Sequence, residues 1–349
     1  MKLLDIVELN VFDTHPLLLS GGFSHASFDD FTGRQDVEHR LARAIKGLSR
    51  CAVVAPSGWG KTNLAAHGLL HTDGVLPITV AVAHEDPDIL LDVGRFGRHL
   101  LDAIVRAGEE SEVLTERAAK RHLGEAGGEM VNSGGTSSTR HARGSVGWRA
   151  ISGELRREVV EKSADLAIRA SVARTKEHLT GVLEDLRNAS FLPTLYFDDT
   201  DRLLGAGGTA DPSSLVQQFF GPLFRWLSEL PCGVLCSAQP EYLQLPVCHE
   251  ATQRGLIQET INVPPLTSAE QIRRVLAVHV GAHELSEDAW NSALDDAAVD
   301  ELFALYEGGT AGGLRRPVRL VELATRIAVE RASERISVSL IRAALDELM

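Results

Sequence analysis

The stretch Ala55-Pro-Ser-Gly-Trp-Gly-Lys61-Thr62 places a lysine and a hydroxyl directly after two closely spaced glycines. Backbone N–H groups of such a loop can converge on phosphate, while the lysine reaches the outer phosphates and the hydroxyl holds Mg²⁺. The pattern is relaxed at Ala55, where a first glycine is usual, and an incidental glycine turn is the alternative. The predicted nucleotide-binding residues here are Ser57, Gly58, Trp59, Gly60, Lys61, Thr62 and Asn63, with Thr62 also a metal ligand.

Two consecutive acids follow the apolar run Leu-Pro-Thr-Leu-Tyr-Phe as Asp198 and Asp199. Mg²⁺ prefers oxygen ligands, so an acid at a strand end opposite Thr62 completes a metal site. We predict that Asp198 holds the metal through water and that Asp199 orients or deprotonates the attacking water. An acidic turn without a metal is the alternative interpretation.

Short apolar runs alternate with helical patterns through the first three quarters of the chain. We predict strands at 51–55, 77–83, 194–197, 233–238 and 256–263, with an amphipathic helix before the first and a helix directly after the glycine loop. This alternation predicts an α/β fold, a phosphate-loop NTPase core with a mainly parallel five-stranded sheet. Beyond it only helices are predicted, the first opened by a capping box from Thr267 to Glu270.

The predicted domains are a lead-in at 1–31, a nucleotide-binding core at 32–265 and a small helical domain at 266–349. The core carries an insertion at about 110–180, rich in glycine and serine and followed by a long helix. Residues 111–157 hold eight basic and five acidic side chains, a local charge of +3 in a chain whose net charge is −13. This basic island is either a binding surface for DNA or a solvated insertion.

Composition indicates an ordinary globular protein, with 44% hydrophobic and 24% charged residues among 349. No apolar run approaches the roughly 18 residues of a membrane span, and Asp5 and Glu8 interrupt the apolar N-terminus, so we expect a cytoplasmic protein. Cys232 and Cys236 with Cys248 and His249 could be imagined as a zinc site, but the spacing fits no common framework. Buried, free cysteines are the favoured interpretation.

The order of these motifs resembles the AAA+ ATPases over roughly residues 31–349. The residues that carry the resemblance are FTGRQDVEHRLARAI, the phosphate loop, FDDTD and the GGLRRPVRL of the C-terminal helices. The similarity is closest to the branch of origin-recognition initiators and transposon-regulator ATPases, with STAND and KAP NTPases as neighbours. It implies ATP and Mg²⁺ as cofactors and a C-terminal helical AAA+ lid domain.

The resemblance also implies roles for single residues. Gly33 and Arg34 would lie against the adenine. Ser237, or else Gln239, would be the polar sensor of the γ-phosphate. Arg254 would be the arginine finger that reaches a neighbour's nucleotide, and Arg315, with Arg316 as the second choice, would be the second sensor in the lid. Each arginine could instead be a solvated surface charge.

Three features depart from the family. Asp199 stands in place of the catalytic glutamate, one methylene shorter, so hydrolysis is expected to be slow. Lys61 and Asp198 are 137 residues apart, more than the family core needs, and the insertion fills the excess. No winged-helix DNA-binding domain is expected after the lid.

Two functions follow from the resemblance. The first is an ATPase that assembles into a homo-oligomeric ring or spiral and controls a DNA or protein effector complex. The second is a STAND-type signalling or anti-phage defence switch that acts on a protein partner without nucleic acid. Neither function involves a membrane, and a metabolic kinase is disfavoured because the C-terminal helices resemble a lid.

Overall fold

The computed structural model describes residues 2–9, 11–12, 36–81, 87–114, 172–198, 200, 212–281, 283, 285–308 and 313–348. Several predicted features lie outside these residues: Gly33 and Arg34, the proposed base Asp199, and the basic island from 115 onward, with most of the insertion that contains it. Their predictions therefore remain predictions.

Five strands form one sheet, as predicted. They are β1 (Arg50–Val54), β2 (Val75–Ala81), β3 (Leu192–Asp198), β4 (Gly233–Ala238) and β5 (Glu259–Asn262). Their order in the sheet is β2-β3-β4-β1-β5. β1 pairs in parallel with both β4 and β5, and Val53 stands opposite Ser237 on one side and Ile261 on the other. β4 is buried throughout, which explains its unbroken run of small and apolar residues.

Helices connect and follow the strands. Those before β4 are α1 (Leu3–Glu8), α2 (Asp36–Lys46), α3 (Lys61–His71), α4 (Val93–Glu110), α5 (172–188 of the described residues), α6 (Pro212–Gln218) and α7 (Phe224–Leu227). Those after β4 are α8 (Pro240–Leu243), α9 (Pro246–Gln253), α10 (Ala269–Gly281), α11 (Glu287–Ala293), α12 (Asp296–Gly308), α13 (Arg315–Glu330) and α14 (Val338–Leu348). The described residues also include a 3₁₀ turn at Pro87–Leu91 and a π-helical turn at Phe219–Leu223. No helix among the described residues is long and apolar enough to cross a bilayer.

The chain divides into two compact units. The first comprises Met1–Val75, Phe197–Asp201 and Val234–Met349, and the second comprises Leu76–Tyr196 and Arg202–Gly233. Every described residue of the predicted site belongs to the first unit. The predicted boundaries at residues 31 and 265 remain predictions.

In the second unit, helix packing depends on a close approach at Gly97 of α4. A β-carbon there would lie 2.8 Å from the side chain of Thr175 and 3.3 Å from that of Trp226, so a larger residue would push these elements apart. Asp92 caps α4 by accepting hydrogen bonds from the N–H groups of Gly94 and Arg95. Pro222 lies in the π-helical turn, where its missing N–H interrupts the regular ladder.

In the first unit, the C-terminal helices share a hydrophobic core with the N-terminal segment. Leu3, Ile6 and Phe12 are buried in the same cluster as residues of α10 to α14, and the Phe12 ring lies 5.2 Å from the ring of Trp290. The sequence pattern does not predict this packing, because the segment is too short to show a clear period.

One predicted helix cap is wrong by one residue. The side chain that turns back at the start of α10 is Gln271, whose Oε1 accepts a hydrogen bond from the Thr267 N–H at 2.5 Å. Glu270 instead forms ion pairs with Arg273 and Arg274 farther along the helix. The shift arises because α10 begins at Ala269, one residue later than the capping-box pattern implies.

Candidate nucleotide site

The candidate phosphate loop connects β1 to α3. Ala55 is buried, and its N–H donates to the carbonyl of Ala238 at 3.2 Å, so this residue extends the pairing of β1 with β4. The small side chain that replaces the usual glycine therefore belongs to the end of the strand. Ala55 leaves the rest of the loop free to turn.

Two glycines give the loop its shape. Gly58 and Gly60 have φ angles of 79° and 86°, in the left-handed region that residues with a β-carbon avoid. Gly60 is the N-cap of α3 and provides no side-chain cap. The first turn of α3 thus presents N–H groups and the positive end of a helix dipole at the loop, an arrangement suited to an anion.

Lys61 lies at the start of α3 and is buried, with 5% of its surface exposed. Its ammonium donates hydrogen bonds to the carbonyls of Ala55 and Pro56, at 2.9 and 3.1 Å. The loop therefore folds around the lysine and holds its charge away from bulk solvent. A cation in this position can act on phosphate oxygens more strongly than one in water.

Thr62 and Asp198 meet although they are far apart in the sequence. The Thr62 hydroxyl donates to Asp198 Oδ1 at 3.0 Å and lies 3.3 Å from Oδ2. The structure thus brings together the two residues predicted to hold Mg²⁺. Among the described residues, no three His, Cys, Asp or Glu side chains form a group that could hold a metal ion. A single carboxylate with a hydroxyl fits Mg²⁺, which takes few protein ligands and keeps waters and phosphate oxygens.

Ser237 adds a third polar group to this pair. It is buried within β4, and its hydroxyl donates to Asp198 Oδ1 at 3.3 Å. Its carbonyl accepts a hydrogen bond from the hydroxyl of Thr200, which is also fully buried. Ser237 therefore orients the carboxylate of Asp198. Gln239, the other predicted sensor, follows β4 as the N-cap of α8 and is partly exposed.

Arg254 lies at the surface, directly after α9. Its guanidinium is paired with Glu250, one turn earlier on the same helix, at 2.5 Å, and its side chain is 55% exposed. The contacts described for Arg254 thus join it to its own helix and leave it accessible from outside. Its predicted role as an arginine finger remains a prediction.

The segment that carries Arg315 meets the phosphate loop. The N–H of Leu314, the N-cap of α13, donates to the carbonyl of Gly58 at 2.9 Å. The neighbouring Gly313 packs so tightly that a β-carbon would lie 2.5 Å from Trp59 Cδ1 and 2.8 Å from the Gly58 carbonyl. Arg315 is exposed and Arg316 partly exposed at the first turn of α13. Their roles as second sensor remain predictions.

Trp59 makes a further contact with the C-terminal helices. Its ring lies 5.8 Å from the ring of Tyr306 on α12, at an angle of 43°. The hydroxyl of Tyr306 accepts a hydrogen bond from the Leu266 N–H at 3.0 Å, which fixes the tyrosine. The sequence did not point to Tyr306, and it placed Gly313 and Leu314 only within the GGLRRPVRL motif, without a role of their own. The only available signal was the Gly312-Gly313 pair before an arginine-rich helix.

The cysteines are structural, as the sequence favoured. All four are free and buried, and burial raises the pKa of both Cys51 and Cys248 to about 12. Burial also raises the pKa of Cys236 well above its ordinary value. Free thiols buried in this way pack as small apolar side chains.

Comparison with solved structures defines the class of fold. The ORC2 protein of Aeropyrum pernix in its ADP form aligns over 97% of this chain and 72% of that chain, with a TM-score of 0.52 and 15% identity. The ADPNP–ADP complexes of the same protein align over the same shares, with a TM-score of 0.51 and 15% identity. A point variant of RuvB from Thermotoga maritima aligns over 94% of this chain and 73% of that chain at a TM-score of 0.45 and 11% identity, which adds nothing to the assignment.

The two ORC2 alignments agree with the predicted fold, an α/β core with a mainly parallel five-stranded sheet. No protein-family model matches the sequence, and a search of curated proteins finds no significant match.

Proposed function

We propose that this protein is an ATPase that binds ATP with Mg²⁺ in the loop between β1 and α3. The observation that carries the proposal is the hydrogen bond from Thr62 to Asp198, formed next to the glycine loop and the buried Lys61. These are the hydroxyl, carboxylate and ammonium that binding of a magnesium–triphosphate requires. The nucleotide complexes of the similarly folded ORC2 protein support the choice of ligand.

Phosphate binding, metal binding and activation of water are assigned to different side chains of this protein. The loop N–H groups and Lys61 bind the phosphates, and Thr62 and Asp198 hold the metal, with Ser237 orienting the carboxylate. Bound Mg²⁺ would neutralise charge on the β- and γ-phosphates. Asp199, next in sequence, orients or deprotonates the attacking water. It reaches one methylene less far than a glutamate would, so we infer slow turnover.

We further propose that ATP-bound subunits assemble with one another. The exposed Arg254 reaches the nucleotide of a neighbour and completes its site, while Arg315 reads the γ-phosphate from the lid. In this arrangement the nucleotide state controls an effector complex. Cations directed at the charge that develops in phosphoryl transfer contribute strongly to catalysis.

The test measures ATP turnover together with the size of the protein particle in solution. Phosphate release should require Mg²⁺, and light scattering should show a larger species with a non-hydrolysable ATP analogue than with ADP. Failure of Mg²⁺-ATP to bind would overturn the proposal. Growth of the particle with analogue alone, without turnover, would limit the function to an ATP-gated switch.

One further comparison distinguishes the two candidate effectors, DNA and a protein partner. The basic island favours DNA, so duplex DNA should increase particle size at low salt, and neutralising Arg140, Arg143 and Arg149 together should abolish that increase. The net charge of −13 favours the second candidate, a switch that engages a protein partner without nucleic acid. An absence of DNA binding by the unmodified protein at low salt would select that candidate.

A further inference from the structure

The contact between the phosphate loop and the start of α13 is made by the backbone of the loop itself. The Gly58 carbonyl accepts the Leu314 N–H at 2.9 Å. The peptide between Gly58 and Trp59 is trans, so its carbonyl and its N–H point in opposite directions. A hydrogen bond that fixes the carbonyl therefore also fixes the direction of the Trp59 N–H.

The Trp59 N–H points to the inside of the loop. It donates to the Pro56 carbonyl at 3.4 Å, and the same carbonyl accepts a hydrogen bond from the Lys61 ammonium at 3.1 Å. Two of the donors proposed to bind phosphate thus converge on one loop oxygen. A phosphate oxygen that replaced this carbonyl would be met by both donors at once.

Side-chain packing holds the same peptide from outside. Gly313 has a φ angle of 47° and leaves no room for a β-carbon against Trp59 and the Gly58 carbonyl. The Trp59 ring rests near Tyr306, whose hydroxyl is itself held by Leu266. The peptide is therefore restrained by a backbone hydrogen bond at the Gly58 carbonyl and by the aromatic contact of the Trp59 side chain.

We propose that Gly313, Leu314 and Tyr306 are positioning residues for the phosphate loop, and that Trp59 transmits nucleotide occupancy to the C-terminal helices. This inference rests on the proposed nucleotide site. In it, the C-terminal helices set the Gly58–Trp59 peptide so that its N–H faces the phosphates. Conversely, phosphate that turns this peptide changes the contacts at Leu314 and Tyr306.

The first experiment compares Gly313→Ala with Gly308→Ala. Gly308 ends α12, and a β-carbon there would meet nothing within 4 Å, so this variant controls for the added methyl group. Isothermal titration with Mg²⁺ and either ADP or a non-hydrolysable ATP analogue should show a loss of affinity of about tenfold for Gly313→Ala only, since a misdirected N–H loses one hydrogen bond to a charged group. Equal affinities for the two folded variants would overturn the inference.

If Gly313→Ala does not fold, as judged by circular dichroism, Trp59→Ala decides the question, because it removes the aromatic contact without adding bulk. It should also weaken nucleotide binding, and affinity equal to that of the unmodified protein would overturn the inference.

The second experiment uses tryptophan fluorescence to measure whether nucleotide binding changes the surroundings of Trp59. Emission present in the unmodified protein and missing from Trp59→Phe belongs to Trp59, and it should change when the ATP analogue binds. A Trp59 signal that stays constant while titration shows binding would overturn the inference and leave the proposed function intact. If neither ADP nor the analogue binds the unmodified protein, the proposed function and the inference both fail.

Discussion

The hydroxyl of Thr62 lies 3.0 Å from Oδ1 of Asp198, although 136 residues separate them in the sequence. One follows β1 at the start of α3, and the other ends β3. With β1 and β3 in one sheet, two distant motifs form a single polar pair. The pair places Asp198 against the residue after the phosphate loop, as the metal-site interpretation requires.

Replacing Lys61 with alanine should reduce ATP turnover at least about a hundredfold, as expected when a preorganised donor to developing charge is lost. Phosphate release at saturating Mg²⁺-ATP measures the effect. Lys46→Ala is the matched control, since that lysine is exposed at the end of α2. Turnover that survives in Lys61→Ala would show that the nucleotide is hydrolysed elsewhere.

Replacing Thr62 with valine should remove the magnesium dependence of nucleotide affinity, because valine has nearly the same shape and no hydroxyl. Titrations with ADP, with and without Mg²⁺, measure it. Thr62→Ser keeps the hydroxyl and should recover most of the dependence. If valine and serine variants respond to Mg²⁺ alike, the hydroxyl is not a ligand.

Replacing Arg254 with alanine should preserve ATP binding and suppress turnover. Turnover per subunit of the unmodified protein should also rise with protein concentration, because a shared site forms only when subunits assemble. Arg274→Ala is a close control, because Arg274 is likewise a surface arginine paired with a glutamate one turn earlier. Both substitutions remove an exposed ion pair and should change stability by less than about 1 kcal/mol. Equal turnover in the two variants would argue against a finger.

Stability should decrease as the pH falls from about 6.5 towards 4 through His279. Burial lowers the pKa of this histidine to about 4, so the unfolded chain takes up a proton in this range while the folded protein does not. The loss of unfolding free energy caused by this histidine has an upper limit of about 3 kcal/mol. Urea unfolding at pH 7 and 5 should show a smaller difference for His279→Gln than for the unmodified protein. His249→Gln, an exposed control, should show no such reduction.

The sequence predicted the sheet well because β1 and β4 are short, continuous apolar runs, a pattern typical of buried strands. It predicted Thr62 and Asp198 as partners because a metal requires oxygen ligands from two motifs. It did not predict the role of Gly313, since its constraint comes from Trp59 and Gly58, more than 250 residues earlier. Nor could it show that Ser237 faces Asp198, because the strand pattern is apolar on both faces and gives no direction to a single hydroxyl.

The packing of Phe12 against Trp290 has a consequence for synthesis. Leu3, Ile6 and Phe12 find their partners among residues beyond 265. The apolar side chains of this segment therefore stay uncovered during translation until the residues beyond 265 have also been synthesised. During that interval these side chains are available to a chaperone.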